Sequence, residues 1–182
     1  MHYRIYFISV LILGAMSFRL LDNATKYFLN LHNEKELLKP YYPSRFQGKP
    51  IPSFSLMLAK DRSILKSSDI NIDRGTILFY FDPYCPVCRR QLNEFVNYAK
   101  ELSDFKFIFI TPYPFYQMMK IYDEFNLANY GNIVVGRDFD DKVSTIFNIG
   151  SVPASMLYSS NGKMKGMYIG FVGHKQIISD LK

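Results

Sequence analysis

Residues 76–81 read TILFYF, six positions in a row with no polar alternation. A strand with one wet face alternates. A continuous β-prone run is covered on both faces, which requires helices packed above and below a sheet. Asp82-Pro83-Tyr84 breaks the run, and Pro86 then opens a different periodicity. Cys88, Leu92, Phe95, Val96, Ala99 and Leu102 fall on one face of a helix predicted from residue 86 to about residue 102. Proline suits its first turn, where the N–H has no helical partner. A second buried run, FKFIFIT at 105–111, follows. The order is strand, helix, strand.

The remaining pattern extends it. A strand is predicted at 54–58, helices at 116–125 and 140–147, and a short strand at 132–135 between them. Two further strands, 154–158 and 165–169, flank Ser159-Ser160-Asn161-Gly162, and Asn-Gly between apolar runs is a strong hairpin signal. A helix from 174 to 181 closes the chain. These elements predict an α/β fold whose mixed central sheet has helices on both faces.

The 182 residues leave room for one such domain plus an appendage. The appendage is N-terminal. Met1 to Arg4 is short and positive, and residues 5–18, IYFISVLILGAMSF, carry no formal charge. Fourteen apolar residues match a secretory signal and fall short of the ~20 of a spanning helix. Arg19 followed by Leu20-Leu21 lengthens the run by snorkelling, while Ala15-Met16-Ser17 offers a cleavage site. We read residues 1–21 as a signal peptide or, by preference, a retained membrane anchor. Either sends the rest of the chain across a membrane. Residues 22–49 read as an amphipathic helix stopped by Pro40 and a proline-rich linker, and 50–182 as the folded domain.

The net charge of +6, from 22 Lys and Arg against 16 Asp and Glu, comes without a run of five basic residues, so a nucleic-acid partner is not expected. Three histidines without ligand spacing and two cysteines leave a zinc cage short of ligands. Neither a metal nor a cofactor is expected.

Both cysteines lie in one motif, Cys85-Pro86-Val87-Cys88. It places Cys85 at the mouth of the predicted helix, where first-turn N–H groups and the helix dipole stabilise a thiolate. Arg89 and Arg90 add positive charge within a turn. The thiolate is the form that attacks disulfides, and Cys88, one turn inside, is placed to resolve the mixed disulfide. Ser151-Val152-Pro153-Ala154 precedes a strand that should run beside the one carrying Cys85. A cis Val152–Pro153 bond there would turn the Val152 carbonyl and N–H outward as an edge for an extended substrate.

These motifs resemble the thioredoxin superfamily, and within it the membrane-anchored TlpA-like thiol-disulfide oxidoreductases. The likeness covers residues 50–182: Ile51-Pro52-Ser53-Phe54, TILFYFDPYCPVCRR, Gly150-Ser151-Val152-Pro153 and Asn161-Gly162-Lys163. It implies a thioredoxin-like fold with Cys85 as nucleophile, Cys88 as resolving thiol and Pro153 as a cis-proline facing them. Tyr84 stands where the family usually has tryptophan, still an aromatic wall for substrate beside Val152 and Pro153. Phe79 stands where thioredoxins keep a buried acid that serves the second thiol, so Cys88 must lose its proton to water or to another carboxylate. Asp82 is nearby in sequence.

The function implied is disulfide reduction or exchange in cell-envelope proteins. The partners would be thiol- or disulfide-containing envelope proteins and an upstream membrane electron donor. The location would be the periplasm or exterior, with the N-terminal helix on the membrane. Two alternatives stay open. A peroxiredoxin-like peroxidase needs Thr or Ser three residues before its cysteine, where Cys85 has Asp82. A non-catalytic assembly module would use the same groove to hold a partner.

Overall fold

The computed structural model describes residues 46–72 and 74–181. The expected anchor or signal at 1–21 lies outside the described residues, as does most of the 22–49 segment. The end of the predicted linker is tied down. Phe46 packs on the ring of Phe147 at 5.0 Å between centroids. The Gly48 N–H donates to the Met164 carbonyl, and the Met164 N–H donates to the Lys49 carbonyl, at 3.1 and 2.9 Å.

Three parallel strands form the centre: β3 (Thr76–Tyr80), β4 (Lys106–Thr111) and β5 (Ile133–Arg137). On the β3 side, β6 (Ala154–Tyr158) and β7 (Met164–Ile169) add antiparallel. On the β5 side, β1 (Ser55–Leu58) and β2 (Ile64–Lys66) do the same. The resulting order is β2-β1-β5-β4-β3-β6-β7. β2 was not expected. A three-residue edge strand has no periodicity to read, and its turn depends on local chemistry: Asp61 accepts from the N–H and hydroxyl of Ser63 at 2.9 and 2.6 Å.

Each strand residue faces opposite to its neighbour, so the continuous apolar runs feed two cores. Ile77, Phe79, Phe107 and Phe109 point to one face, covered by α1 (Pro86–Asn97), α2 (Phe115–Glu124) and α4 (His174–Leu181). Leu78, Tyr80, Ile108 and Ile110 point to the other, covered by α3 (Lys142–Phe147) and the chain around Phe54. This is the thioredoxin-like arrangement, a mixed sheet with helices on both faces.

Two helices are shorter than their patterns suggest. α1 ends at Asn97 rather than near Leu102. Tyr98 caps it, its ring stacked on that of His174, and single turns then carry Leu102 into the core. α3 begins at Lys142 rather than Asp140 because buried Asp138 accepts the Lys142 and Val143 N–H groups at 3.0 Å each. A carboxylate there satisfies first-turn donors that otherwise lack partners.

The topology also collects one end of the sheet. Neighbouring parallel strands finish at the same end, so the loops after β3 and β4 lie side by side. The register pairs Tyr80 with Ala154, so antiparallel β6 starts at that end and brings residues 150–153 with it.

Candidate functional site

The three loops converge on Cys85, which is the N-cap of α1 in extended conformation, with Pro86 at the first helical turn. Its Sγ accepts the Cys88 N–H at 3.5 Å. It also faces the Val152 carbonyl at 3.9 Å, within reach of a weak S–H donor. Both cysteines are free thiols, Cys85 partly exposed and Cys88 fully buried.

Burial separates the two sulfurs chemically. It pushes the Cys88 thiol up to about 12, with the neighbouring Cys85 and Asp82 charges adding to the rise and an Asp82 backbone hydrogen bond working against it. Burial also raises the hydroxyls of Tyr80 and Tyr158 well above the ordinary tyrosine range. All three groups hold protons in the folded state that the unfolded chain gives up at lower pH. The unfolded chain therefore binds fewer protons at alkaline pH, and stability falls as pH rises. For Cys88 the loss begins near its unfolded value of ~8.5–9 and continues to about 12, at up to ~1.4 kcal/mol per pH unit. Urea midpoints of the reduced protein are expected to be flat between pH 7 and 8 and to fall steadily above pH 9. A midpoint constant to pH 11 would contradict this.

The Val152–Pro153 bond is cis, and Pro153 is buried. One expectation changes. The Val152 carbonyl is turned toward the Cys85 sulfur rather than left wholly free for a substrate strand. The β3–β6 register causes this, since it sets residue 152 over the loop that carries the cysteine.

Tyr84 is 57% exposed, and its ring meets that of Tyr113 edge-on at 5.8 Å. The arginines after the motif do not converge on the sulfurs. Arg89 pairs with Glu124 and reaches the Pro83 carbonyl, and Arg90 lies over the ring of Phe171. Both long side chains follow α1 toward apolar rings and partners of their own.

Three supports of the site were missed by the sequence reading. Tyr113 donates its hydroxyl to Asp82 Oδ2 at 2.7 Å. Gln91, fully buried on α1, holds residue 172 from both sides. Its Nε2 donates to the Val172 carbonyl at 2.9 Å, and its Oε1 accepts the Val172 N–H at 2.7 Å. Glu94 accepts from the His174 N–H at 2.9 Å and meets the ring Nδ1 at 2.7 Å. Gln91 carried a usable signal, an amide on the same helical stripe as Cys88, Leu92 and Phe95. Tyr113 carried none until β3 and β4 were known to be neighbours.

No family model and no curated protein matches the sequence. Solved structures match the fold. A secreted Mycobacterium tuberculosis disulfide oxidoreductase homologous to E. coli DsbE is 15% identical, over 76% of this chain and 99% of its own, with a TM-score of 0.58. The exposed lipoprotein thioredoxin Etrx1 of Streptococcus pneumoniae is 21% identical, over 71% and 98%, with a TM-score of 0.56. A thio-disulfide isomerase of Thermus thermophilus is 17% identical, over 74% and 94%, with a TM-score of 0.58. Residues 46–181 have the thioredoxin fold.

Proposed function

We propose that the protein is an extracytoplasmic thiol-disulfide oxidoreductase that reduces or exchanges disulfides in cell-envelope proteins. The observation that carries this reading is the placement of two free thiols in one helical turn, Cys85 at the open mouth of α1 and Cys88 buried behind it. The Cys85 thiolate attacks one sulfur of a substrate disulfide and displaces the other as a thiolate. Cys88 then gives up its proton and attacks the Cys85 sulfur, which releases the second substrate thiolate. The substrate gains two electrons and the protein keeps a Cys85–Cys88 disulfide, which an upstream membrane donor reduces again.

Tyr84, Val152 and Pro153 flank the sulfur as the surface for an extended substrate. The Val152 carbonyl, facing Cys85, fixes which substrate atoms approach the attack line. Residues 1–21 serve as signal or anchor and 22–49 as helix and tether, leaving the domain outside the cytoplasm with positively charged Arg4 inside. The secreted oxidoreductase and the exposed lipoprotein among the structural neighbours support that location.

The test is trapping. Cys88→Ser, expressed in the envelope, is expected to accumulate mixed disulfides with protein thiols, while Cys85→Ser accumulates almost none. The reduced wild type should cleave insulin disulfides without consuming hydrogen peroxide. Equal trapping by both variants would reverse or remove the assigned roles. Peroxide consumption would favour the peroxidase alternative, and neither activity would favour a binding module. The direction of electron flow follows from the dithiol potential, about −270 mV for a reductase and about −120 mV for an oxidant.

A further inference from the structure

The outer edge of β5 is only half covered. β1 pairs with it through Met57 and Leu58, opposite Arg137 and Gly136, and one more bond runs from the Ala59 N–H to the Val135 carbonyl at 2.9 Å. The chain then turns away. The Arg62 N–H donates to the Leu58 carbonyl at 3.0 Å, and Arg62 takes a φ of +60°. The Leu58 N–H donates to the Ser63 carbonyl at 2.8 Å, and the chain leads into β2.

This leaves two outward backbone groups at the start of β5. In a parallel ladder alternate residues bond to one neighbour, and those between them point the other way. The Phe107 N–H donates to the Asn132 carbonyl and the Asp138 N–H to the Thr111 carbonyl, so Val134 and Gly136 serve β4. The Ile133 carbonyl and the Val135 N–H point away from β4, and neither has a hydrogen-bond partner among the described residues. Val135 is 3% exposed, and a buried backbone N–H without a partner is rare and costly. Both groups border a groove of about 430 Å³, within the size range of ligand pockets. Leu58, Tyr122, Leu127, Tyr130 and Val134 make it largely apolar, and Lys60 is the charged residue of its lining. The neighbouring Asp61 turns its carboxylate onto the Ser63 N–H and hydroxyl.

Chain direction decides what fits. One residue of a strand running parallel to β5 gives its N–H to the Ile133 carbonyl and accepts the Val135 N–H on its own carbonyl. An antiparallel strand would need the Ile133 N–H, which already donates to the Tyr130 carbonyl at 3.1 Å, and an acceptor opposite Val135, where Ala59 stands. A parallel strand runs toward Ala59 and has to stop there, because the Ala59 N–H holds the next carbonyl, that of Val135. We propose that this groove binds the C-terminus of a partner polypeptide, an extended apolar end clasped by Ile133 and Val135 with its free carboxylate beside Lys60. Strand addition supplies the main-chain bonds, and the lysine supplies the complementary charge. The groove lies at the start of β5, whereas the dithiol follows the end of β3, so the two occupy opposite ends of the sheet. A partner held by its tail leaves Cys85 open, and the proposal stands independently of the dithiol reading.

Two surface substitutions test the parts separately. Lys60 is exposed, so Lys60→Gln removes the charge and leaves the groove its shape. Ala128 is an exposed residue of the groove wall, and Ala128→Trp fills the space from outside without entering the core. Neither residue belongs to the dithiol site, so both variants are expected to reduce insulin at the wild-type rate.

The experiment titrates the full-length protein, held in lipid nanodiscs, against a fluorescein-labelled tetrapeptide of valine and leucine with a free C-terminal carboxylate. The same peptide with an amidated C-terminus is the comparison, and empty nanodiscs supply the background. Fluorescence anisotropy reads binding, and hydrogen exchange reads the Val135 amide. The free-acid peptide is expected to bind saturably and to slow exchange at Val135 at least about tenfold. The amide should bind at least about threefold more weakly, the share of a partly exposed charge pair. Lys60→Gln should remove that difference, and Ala128→Trp should abolish binding of both peptides. Absence of saturable binding, equal binding of acid and amide by the wild type, or unchanged exchange at Val135 would overturn the proposal. Binding that survives Ala128→Trp would overturn it too, as would a wild-type dimer in sedimentation that Ala128→Trp dissociates, which would give the groove to a second copy of this chain. If Ala128→Trp does not fold, the acid–amide difference and its loss in Lys60→Gln decide the matter.

Discussion

Iodoacetamide at pH 7.5 is expected to label Cys85 in the native reduced protein at least about 100-fold faster than Cys88. Burial of one sulfur gives this result in two ways. Cys88 is 0% exposed, on the buried face of α1 in the aromatic core cluster, so the reagent has no line of approach. Its thiol is also pushed up to about 12 by burial. At pH 7.5 that leaves very little of it as thiolate, the form that reacts. Cys85 is partly exposed at the helix mouth, where its sulfur accepts the Cys88 N–H of the first turn. Peptide mass spectrometry after a timed quench reads the two sites separately. In guanidinium the two rates should become nearly equal, since helix and burial are both gone. Similar native rates would mean that Cys88 is not buried in solution, and the division of roles between the thiols would lose its physical basis.

Phe95→Ala is expected to cost the domain about 3–5 kcal/mol, enough to threaten folding at physiological temperature. Phe95 is 0% exposed and sits where α1 meets the sheet. Its ring meets Phe79 edge-on at 5.2 Å, Phe107 at 4.9 Å and Phe109 at 5.8 Å. These neighbours stand on two adjacent strands held by the β3–β4 register, so they cannot collapse into the space a methyl group would leave. Urea denaturation at pH 7 measures the loss, with a midpoint shift and little change in slope as the signature. Phe95→Leu should lose much less, because it refills most of the volume. A loss under 1 kcal/mol for the alanine variant would mean that this aromatic cluster is not the tight contact that fixes α1, and hence the cysteines, on the sheet.

The long elements were legible because each has a periodic reason. TILFYF and FKFIFIT are uninterrupted because their strands are central and covered on both sides, and the structure makes them parallel neighbours. Cys88, Leu92 and Phe95 are spaced for one helical face, and that face is buried. Asn161-Gly162 marked the hairpin because the chain needs a positive φ there, which Gly162 adopts at +73°. Short or contact-dependent features were not legible. β2 is three residues on an edge, and the start of α3 depends on a carboxylate four residues earlier in sequence.

The candidate site divides in the same way. The motif and its place at a helix mouth are local matters of spacing and capping, and these the sequence determined by itself, whereas the burial that separates its two thiols needs the sheet beneath the helix. The company those thiols keep is not local. Val152 stands 67 residues from Cys85, Tyr113 is 31 from Asp82, and Gln91 is 81 from Val172. No periodicity connects such pairs. Strand order and register decide them, because neighbouring parallel strands end together and an antiparallel partner begins where they end. Tertiary structure therefore decided that a carbonyl faces the first sulfur and that Tyr113 holds the Asp82 carboxylate on the loop that leads to it. The physical reason is that hydrogen bonds and desolvation act through distances in space, which the chain sets only once the sheet has closed.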